Sequence, residues 1–291
     1  MKKCYALLLV LALVLGFSAI AETEVKAYEY TETDIMIPAG DHEIPATVTV
    51  PVGAEGEIFP AVVMLHGNGS TRHEAGNAYD YTAPAMAAAG IATIRFDYIG
   101  NGDSTSDYID FTYDKGVDDA LKCYEYLGTL GTVDMDRVGI MGWSQGGRLT
   151  ILTAARSDLF KSALTWAGAY DQKLGEEEQY EIAKANGYYE VVYDWREPLK
   201  QSPAYYECAM SIDYDAEAAN ITIPFLAIQG SNDTSVPPET AQKIVDALVN
   251  SPRAEIDMIE GAEHTFGVFS NQPEQLERIT ADTIAWFQET L

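Results

Sequence analysis

The sequence predicts an α/β protein: a mostly parallel, twisted sheet with helices on both faces and a small inserted cap. Three observations carry this reading. Short continuous apolar runs ending in glycine, such as "FPAVVMLHG", are those of strands buried on both faces. Segments with helical spacing alternate with such runs along most of the chain. A stretch of about fifty residues between the runs near Leu164 and Ile223 breaks that rhythm and is too long for a simple connection.

Taken in order, "YEYTETDIMIPA" and "EIPATVTVP" alternate apolar and polar residues around Ala39-Gly40-Asp41 and predict an antiparallel hairpin. "FPAVVMLHG" and "IATIRFDYIG" follow as strands. Val117, Ala120, Leu121, Tyr124 and Leu127 then fall on one face of a helix. "DRVGIMGW" is a strand and "GRLTILTAARS" a helix, and "KSALTWAGA" and "ITIPFLAIQG" are strands. "AQKIVDALVN" is a helix, "RAEIDMIEG" a strand and "PEQLERITADTIAWFQETL" a terminal helix. Crossovers between parallel strands should be right-handed.

Residues 170–219 are the expected cap. Within them "GEEEQYEIAKANG" predicts a helix with acidic residues in its first turn and Asn186-Gly187 as its stop. Tyr188, Tyr189, Tyr193, Trp195, Tyr205 and Tyr206 offer more aromatic surface than water favours, so the cap should cover something.

The chain of 291 residues is long enough for one large domain with a substantial core. Lys2 and Lys3, an uncharged apolar stretch and Ala19-Ile20-Ala21 predict a secretory signal over residues 1–21, with one domain from 22 to 291 that carries the cap as an insertion. A retained N-terminal membrane anchor is the alternative. The mature protein is thus expected outside the cytoplasm. Cys123 and Cys208 remain after the leader and are either one bridge or two thiols. The net charge of −27 repels nucleic acid and anionic membrane, so neither is expected as a partner; the oligomeric state is open.

The run "IMGWSQGGRLTILTAA" contains G-x-S-x-G between a predicted strand and a predicted helix. That context forces the serine into a strained turn and presents Ser144 Oγ above the carboxyl edge of the sheet, with glycines at 142 and 146 where a side chain would collide. A serine hydroxyl needs a base. Of the four histidines, His42 lies in the hairpin, His66 ends a strand and ties loops together, and His73 sits in a polar loop. His264, in "GAEHTFG", follows the last strand at the same edge and is the expected base. Asp233, in "IQGSNDTSVPPE", also follows a strand and is the expected orienting acid. Asp213, Asp215 and Asp246 fall in the cap or on a helix, and Asp257 lies inside a strand. The amides of Gln145 and of Asn68, in "HGNGS", are the expected oxyanion donors. Gly100-x-Gly102 in "FDYIGNGDS" lacks a full dinucleotide fingerprint and reads as a turn.

Taken together, "LHGNGS", "FDYIGNGDS", "GWSQGG", "IQGSNDTSVP" and "GAEHTF" resemble the α/β-hydrolase superfamily from about residue 43 to the end, and more narrowly its feruloyl/cinnamoyl esterase and serine-aminopeptidase-like branch. In that branch a cap between the sixth and seventh strands forms one wall of an aromatic acyl pocket. The resemblance thus implies Tyr188, Tyr189, Tyr193 and Trp195 as substrate contacts. Asn101 departs from the pattern, since relatives often carry histidine or arginine there. The implied activity is two-step acyl transfer by Ser144, His264 and Asp233 on a small carboxylic ester, hydroxycinnamoyl (feruloyl) esters among them, or on a short peptide, without metal or organic cofactor. The alternatives are a serine aminopeptidase or acyl-peptidase, for which Glu176–Glu178 could meet a free amine, and a non-catalytic binding protein on a hydrolase scaffold.

Overall fold

The computed structural model describes residues 27–171 and 176–291. The expected leader, residues 1–21, lies outside the described residues. The hairpin is β1 (Glu29–Pro38) and β2 (Glu43–Val52), paired antiparallel from Glu29–Val52 to Pro38–Glu43. There follow β3 (Phe59–Leu65), α1 (Ala78–Ala88), β4 (Ala92–Phe96), α2 (Tyr113–Leu127), β5 (Val133–Trp143), α3 (Gln145–Ala155) and β6 (Ser162–Trp166). After β6 come α4 (Glu176–Asn186), β7 (Tyr189–Val191), β8 (Leu199–Gln201), α5 (Pro203–Ser211) and α6 (Tyr214–Ala218). The chain closes with β9 (Phe225–Gly230), α7 (Glu239–Ala247), β10 (Ala254–Ile259) and α8 (Pro273–Thr290).

The main sheet has the order β1-β2-β4-β3-β5-β6-β9-β10, parallel from β4 to β10. Strand β3 explains why its sequence is a continuous apolar run rather than an alternation. Val63 and Leu65 enter the core beneath α2, α3 and α7, whereas Val62 and Met64 enter the one beneath α1 and α8. Both faces are covered, so neither set can be polar.

Helix α1 has no counterpart in the sequence reading. Ala78, Tyr79, Thr82, Ala83, Met86 and Ala87 are all buried, and Pro84 sits inside the helix. An alanine-rich helix packed on several sides lacks the polar–apolar contrast that reveals a surface helix, and an internal proline removes one of its backbone bonds.

The excursion lies between the sixth and seventh strands of the main sheet, β6 and β9. Its two halves behave differently. Strands β7 and β8 form a separate antiparallel pair, and the turn between them exposes Val192 and Trp195. In α5 and α6, by contrast, Tyr205, Tyr206, Ala209, Tyr214 and Ala218 are buried in the main core. Cys123 is buried, Cys208 is half-buried, and both thiols are free.

Candidate active site

Strand β5 ends at Trp143, and the next residue reverses the backbone. Ser144 has φ 54° and ψ −115°, outside the regions an L-residue prefers, at a cost of about 1–3 kcal/mol. The turn is tied to its neighbours. Ser144 N–H donates to the Trp166 carbonyl at 2.9 Å, and the Ser144 carbonyl accepts from the Gly147 and Ala169 amides, each at 2.9 Å. A Cβ on Gly142 would stand 2.2 Å from the Gly146 carbonyl oxygen, and one on Gly146 would stand 2.1 Å from that of Leu65. Both glycines are therefore required by close backbone approach.

Asp233 follows β9 and has a fully buried carboxylate. One oxygen accepts the amides of Ser235 at 2.8 Å and Val236 at 2.9 Å; the other meets Gln229 Nε2 at 3.0 Å and His264 Nδ1 at 2.7 Å. An acceptor-only carboxylate at that distance fixes the neutral imidazole with its hydrogen on Nδ1, leaving Nε2 as the basic nitrogen. The His264 loop is braced in turn. Trp143 Nε1 donates to the His264 carbonyl at 3.1 Å, and Glu263 accepts from the amides of Thr265 and Gly267.

Two cavities meet at Ser144. The larger, about 750 Å³, is lined by Ser144, His264, Trp143, Glu74, Tyr193 and Trp195 among others, with exposed Phe269 and Trp195 at its rim. The smaller, about 280 Å³, runs beneath the excursion and is lined by Ser144, Gln145, Arg148, Tyr113, Tyr205 and Tyr206 among others. Asn68 lines both. Of the four aromatic contacts expected from the resemblance, Tyr193 and Trp195 line the larger cavity. Tyr188 and Tyr189 line neither of these two. Tyr189 is engaged in the β7–β8 pair, and Tyr188 packs its ring under Lys200 Nζ at 4.7 Å.

The smaller cavity has a directed hydrogen-bond chain. The Arg148 guanidinium can only donate, and its Nη1 reaches Tyr113 Oη at 2.8 Å. Gln145 Nε2 approaches the same oxygen at 3.4 Å. Tyr113 therefore gives its own hydrogen to Tyr205 Oη, 3.1 Å away. That leaves the Tyr205 O–H hydrogen for the cavity. Gln145 Oε1 is buried with no partner among the described residues.

Two contributors, Arg196 and Glu74, escape a reading of the sequence, and a third, His66, ties loops together as expected. His66 is buried between Tyr98 and the Gly67 carbonyl: Nε2 accepts the Tyr98 amide at 3.1 Å and Nδ1 lies 2.8 Å from Gly67 O. Burial lowers its pKa from 6.5 to about 4. Arg196, from the β7–β8 turn, donates to the Gly69 carbonyl and to Asn101 Oδ1. Glu74 is a buried carboxylate facing the larger cavity. Neither Arg196 nor Glu74 belongs to a motif; Arg196 acquires its place through contacts distant in sequence, and Glu74 through a loop that folds back on Gly67. Asn101, Gly100 and Gly102 form a structural turn, as expected; a Cβ on Gly102 would overlap the Asp97 carboxylate that pairs with Arg72.

The sequence profile of the prolyl oligopeptidase family matches residues 77–291. The chain belongs to that family. It is also similar to the uncharacterized peptidase YuxL of Bacillus subtilis, 21% identical over 83% of this chain and 36% of the relative, so it spans little more than a third of that protein. Among solved structures, the ferulic-acid-bound Est1E of Butyrivibrio proteoclasticus superposes with a TM-score of 0.69 at 23% identity, covering 88% of this chain and 98% of the other. The acylaminoacyl peptidase of Pyrococcus horikoshii gives 0.68 at 20% identity, covering 92% of this chain and 42% of the other. At these identities the superpositions speak to architecture, which is that of an α/β-hydrolase.

Proposed function

We propose that the protein is an exported serine hydrolase that cleaves carboxylic esters through an acyl-enzyme. The observation that carries this reading is the His264–Asp233 pair opening onto the same cavity as the strained Ser144. His264 Nε2 removes the Ser144 proton as Oγ attacks the ester carbonyl. Asp233 holds the tautomer and stabilises the imidazolium. The amides of Gln145 and Asn68 receive the charge that develops on the carbonyl oxygen. His264 then returns the proton to the departing alcohol. Water, deprotonated by the same imidazole, attacks the acyl-enzyme and releases the acid.

Because His264 protonates the leaving group, the alcohol belongs in the larger cavity, which His264 lines, and the acyl group in the smaller. The acyl side offers one donor, Tyr205 O–H, and one acceptor, Gln145 Oε1. A hydroxyl uses both at once. This supports hydroxylated acyl groups, hydroxycinnamoyl esters among them, over plain alkyl ones.

Family membership favours a second reading, an aminopeptidase or acyl-peptidase, and Glu176 at the edge of the acyl-side cavity gives it a carboxylate for a free amine. Turnover of p-nitrophenyl acetate, methyl p-coumarate and aminoacyl anilides separates the two: esters are expected to be the better substrates, and hydrolysis of anilides alone would install the peptidase. In Ser144→Ala, fluorophosphonate labelling should vanish and turnover fall by roughly four to six orders of magnitude. Retention of most activity would remove both readings.

A further inference from the structure

We infer that Glu74 is a positioning residue for the proposed ester hydrolysis, its carboxylate holding the Gly67 amide so that the next amide, Asn68 N–H, faces the reacting carbonyl oxygen. This rests on the acyl-transfer reading above.

The loop after β3 carries glycines at 67 and 69, and Gly69 has φ 72°. Such a chain is permissive, whereas an oxyanion donor is useful only when its direction is fixed before reaction. Glu74 supplies the fixing. The Gly67 amide donates to Glu74 Oε2 at 2.5 Å, and the Ala75 amide donates to Oε1 at 2.9 Å. A Cβ on Gly67 would stand 3.5 Å from both Glu74 Oε1 and Ser144 Cβ, so carboxylate and nucleophile flank the same piece of backbone. The Gly67 carbonyl is taken on its other side by the Ser70 amide at 3.1 Å and by His66 Nδ1 at 2.8 Å. In a trans peptide the carbonyl and the following N–H point in opposite directions. With Gly67 O committed to His66 and Ser70, Asn68 N–H is turned away from them.

The backbone around Glu74 is held in an unfavourable shape. Glu74 has φ 63° and ψ 175°, Gly76 has φ 55° and Asn77 has φ 62°. Gly76 packs against Val268 and Phe269, in the loop that follows His264. The segment therefore links the two loops that the chemistry must keep in register. A buried carboxylate is a costly way to brace a turn; in return, bonds from amides to a charged acceptor are about twice as strong as neutral ones. Burial raises the Glu74 pKa, and the bonds from Gly67 and Ala75 oppose that rise.

The test uses the full chain with Glu74→Ala and Glu74→Gln, with active sites counted by end-point fluorophosphonate titration. For Glu74→Ala, kcat per titrated site on p-nitrophenyl acetate should fall roughly 10- to 100-fold, less than or near the loss of a whole oxyanion donor. KM should stay within about threefold. The inhibition constant of phenylboronic acid, whose tetrahedral serine adduct places an oxygen where the oxyanion forms, should rise by about the same factor as kcat/KM falls. Glu74→Gln, which keeps one acceptor, should recover part of both. If Glu74→Ala does not accumulate as folded protein, Glu74→Gln decides alone, with a several-fold change expected in both quantities. Unchanged kcat, or a reduced kcat with unchanged boronate affinity, overturns the inference. The acyl-transfer reading fails separately, by undiminished turnover in Ser144→Ala.

Discussion

Arg196 donates to Asn101 Oδ1 at 2.6 Å across the mouth of the site, joining the excursion to the turn after β4. The same nitrogen also reaches the Gly69 carbonyl, in the loop that carries Asn68. An arginine at position 101, or a protonated histidine, would set two cations against each other; asparagine offers an acceptor at any pH instead. Asn68 Nδ2 adds a second tie, donating to Tyr193 Oη at 2.8 Å.

Arg196→Ala should therefore weaken catalysis even on p-nitrophenyl acetate, which is too small to need the excursion as a wall. Losing two bonds from a charged donor at a half-buried position corresponds to about tenfold in kcat/KM. Steady-state kinetics on that ester check it. An effect seen only with bulky acyl groups would mean that Arg196 touches substrate rather than the loop.

The elbow gives a second expectation. In Gly146→Ala the new methyl would lie 2.1 Å from the Leu65 carbonyl oxygen and 2.7 Å from that of His66. Helix α3 must then move away from the end of β3, taking the Gln145 amide with it. The overpacking should cost about 1–3 kcal/mol, read as a lowered urea midpoint, and kcat should fall at least 100-fold, the value of a misplaced oxyanion donor. A variant with wild-type kcat would show that the elbow tolerates displacement.

The parts of this molecule that read directly from sequence are those whose signal is local. The buried strands announce themselves by unbroken apolar runs, and Ser144 by glycines two residues either side of it between a strand and a helix. Asp233 and His264 each follow a strand, which places them at the same edge as Ser144. What does not read is anything set by packing between distant segments. Helix α1 is hidden because its burial leaves no amphipathic stripe. Tyr188 and Tyr189 look like pocket aromatics, yet Tyr189 is taken into the pairing of β7 with β8 and Tyr188 packs against Lys200; Tyr113, from α2, lines the cavity without any motif around it. Glu74 sits in an unremarkable polar loop, and only the fold brings its carboxylate under Gly67.

The donor–acceptor pair in the smaller cavity can be tested through acyl preference. Tyr205→Phe removes the O–H that faces the cavity while keeping the ring in the core. Hydrolysis of methyl p-coumarate should fall several-fold, consistent with one hydrogen bond of about 1 kcal/mol, and that of methyl cinnamate, which lacks the hydroxyl, should hardly change. The ratio of kcat/KM for the two esters is the readout. A parallel drop in both would assign Tyr205 to packing rather than to recognition.

His66 makes the stability of the protein depend on acid in a definable way. In the fold its Nδ1–H donates to Gly67 O and its Nε2 accepts from the Tyr98 amide, so both nitrogens are used by the neutral ring. A proton on Nε2 would face an N–H donor. The folded-state pKa of about 4 lies below the ordinary 6.5, so between those values the unfolded chain takes up a proton that the native state refuses. Stability should fall by about 3 kcal/mol as pH drops through this window. Asp119 acts in the opposite sense. Burial pushes its pKa up to about 6, above the 3.8 of an ordinary aspartate, so acid relieves a cost it imposes at neutral pH. The two largely mask each other in the wild-type curve. Comparing urea unfolding of wild type and His66→Asn from pH 7 to pH 4 removes the Asp119 contribution. The variant should start less stable at pH 7 and gain on wild type as pH falls, the gap narrowing by roughly 3 kcal/mol. A constant gap would mean that His66 carries its proton in the native state and that the Tyr98 amide is held by something else.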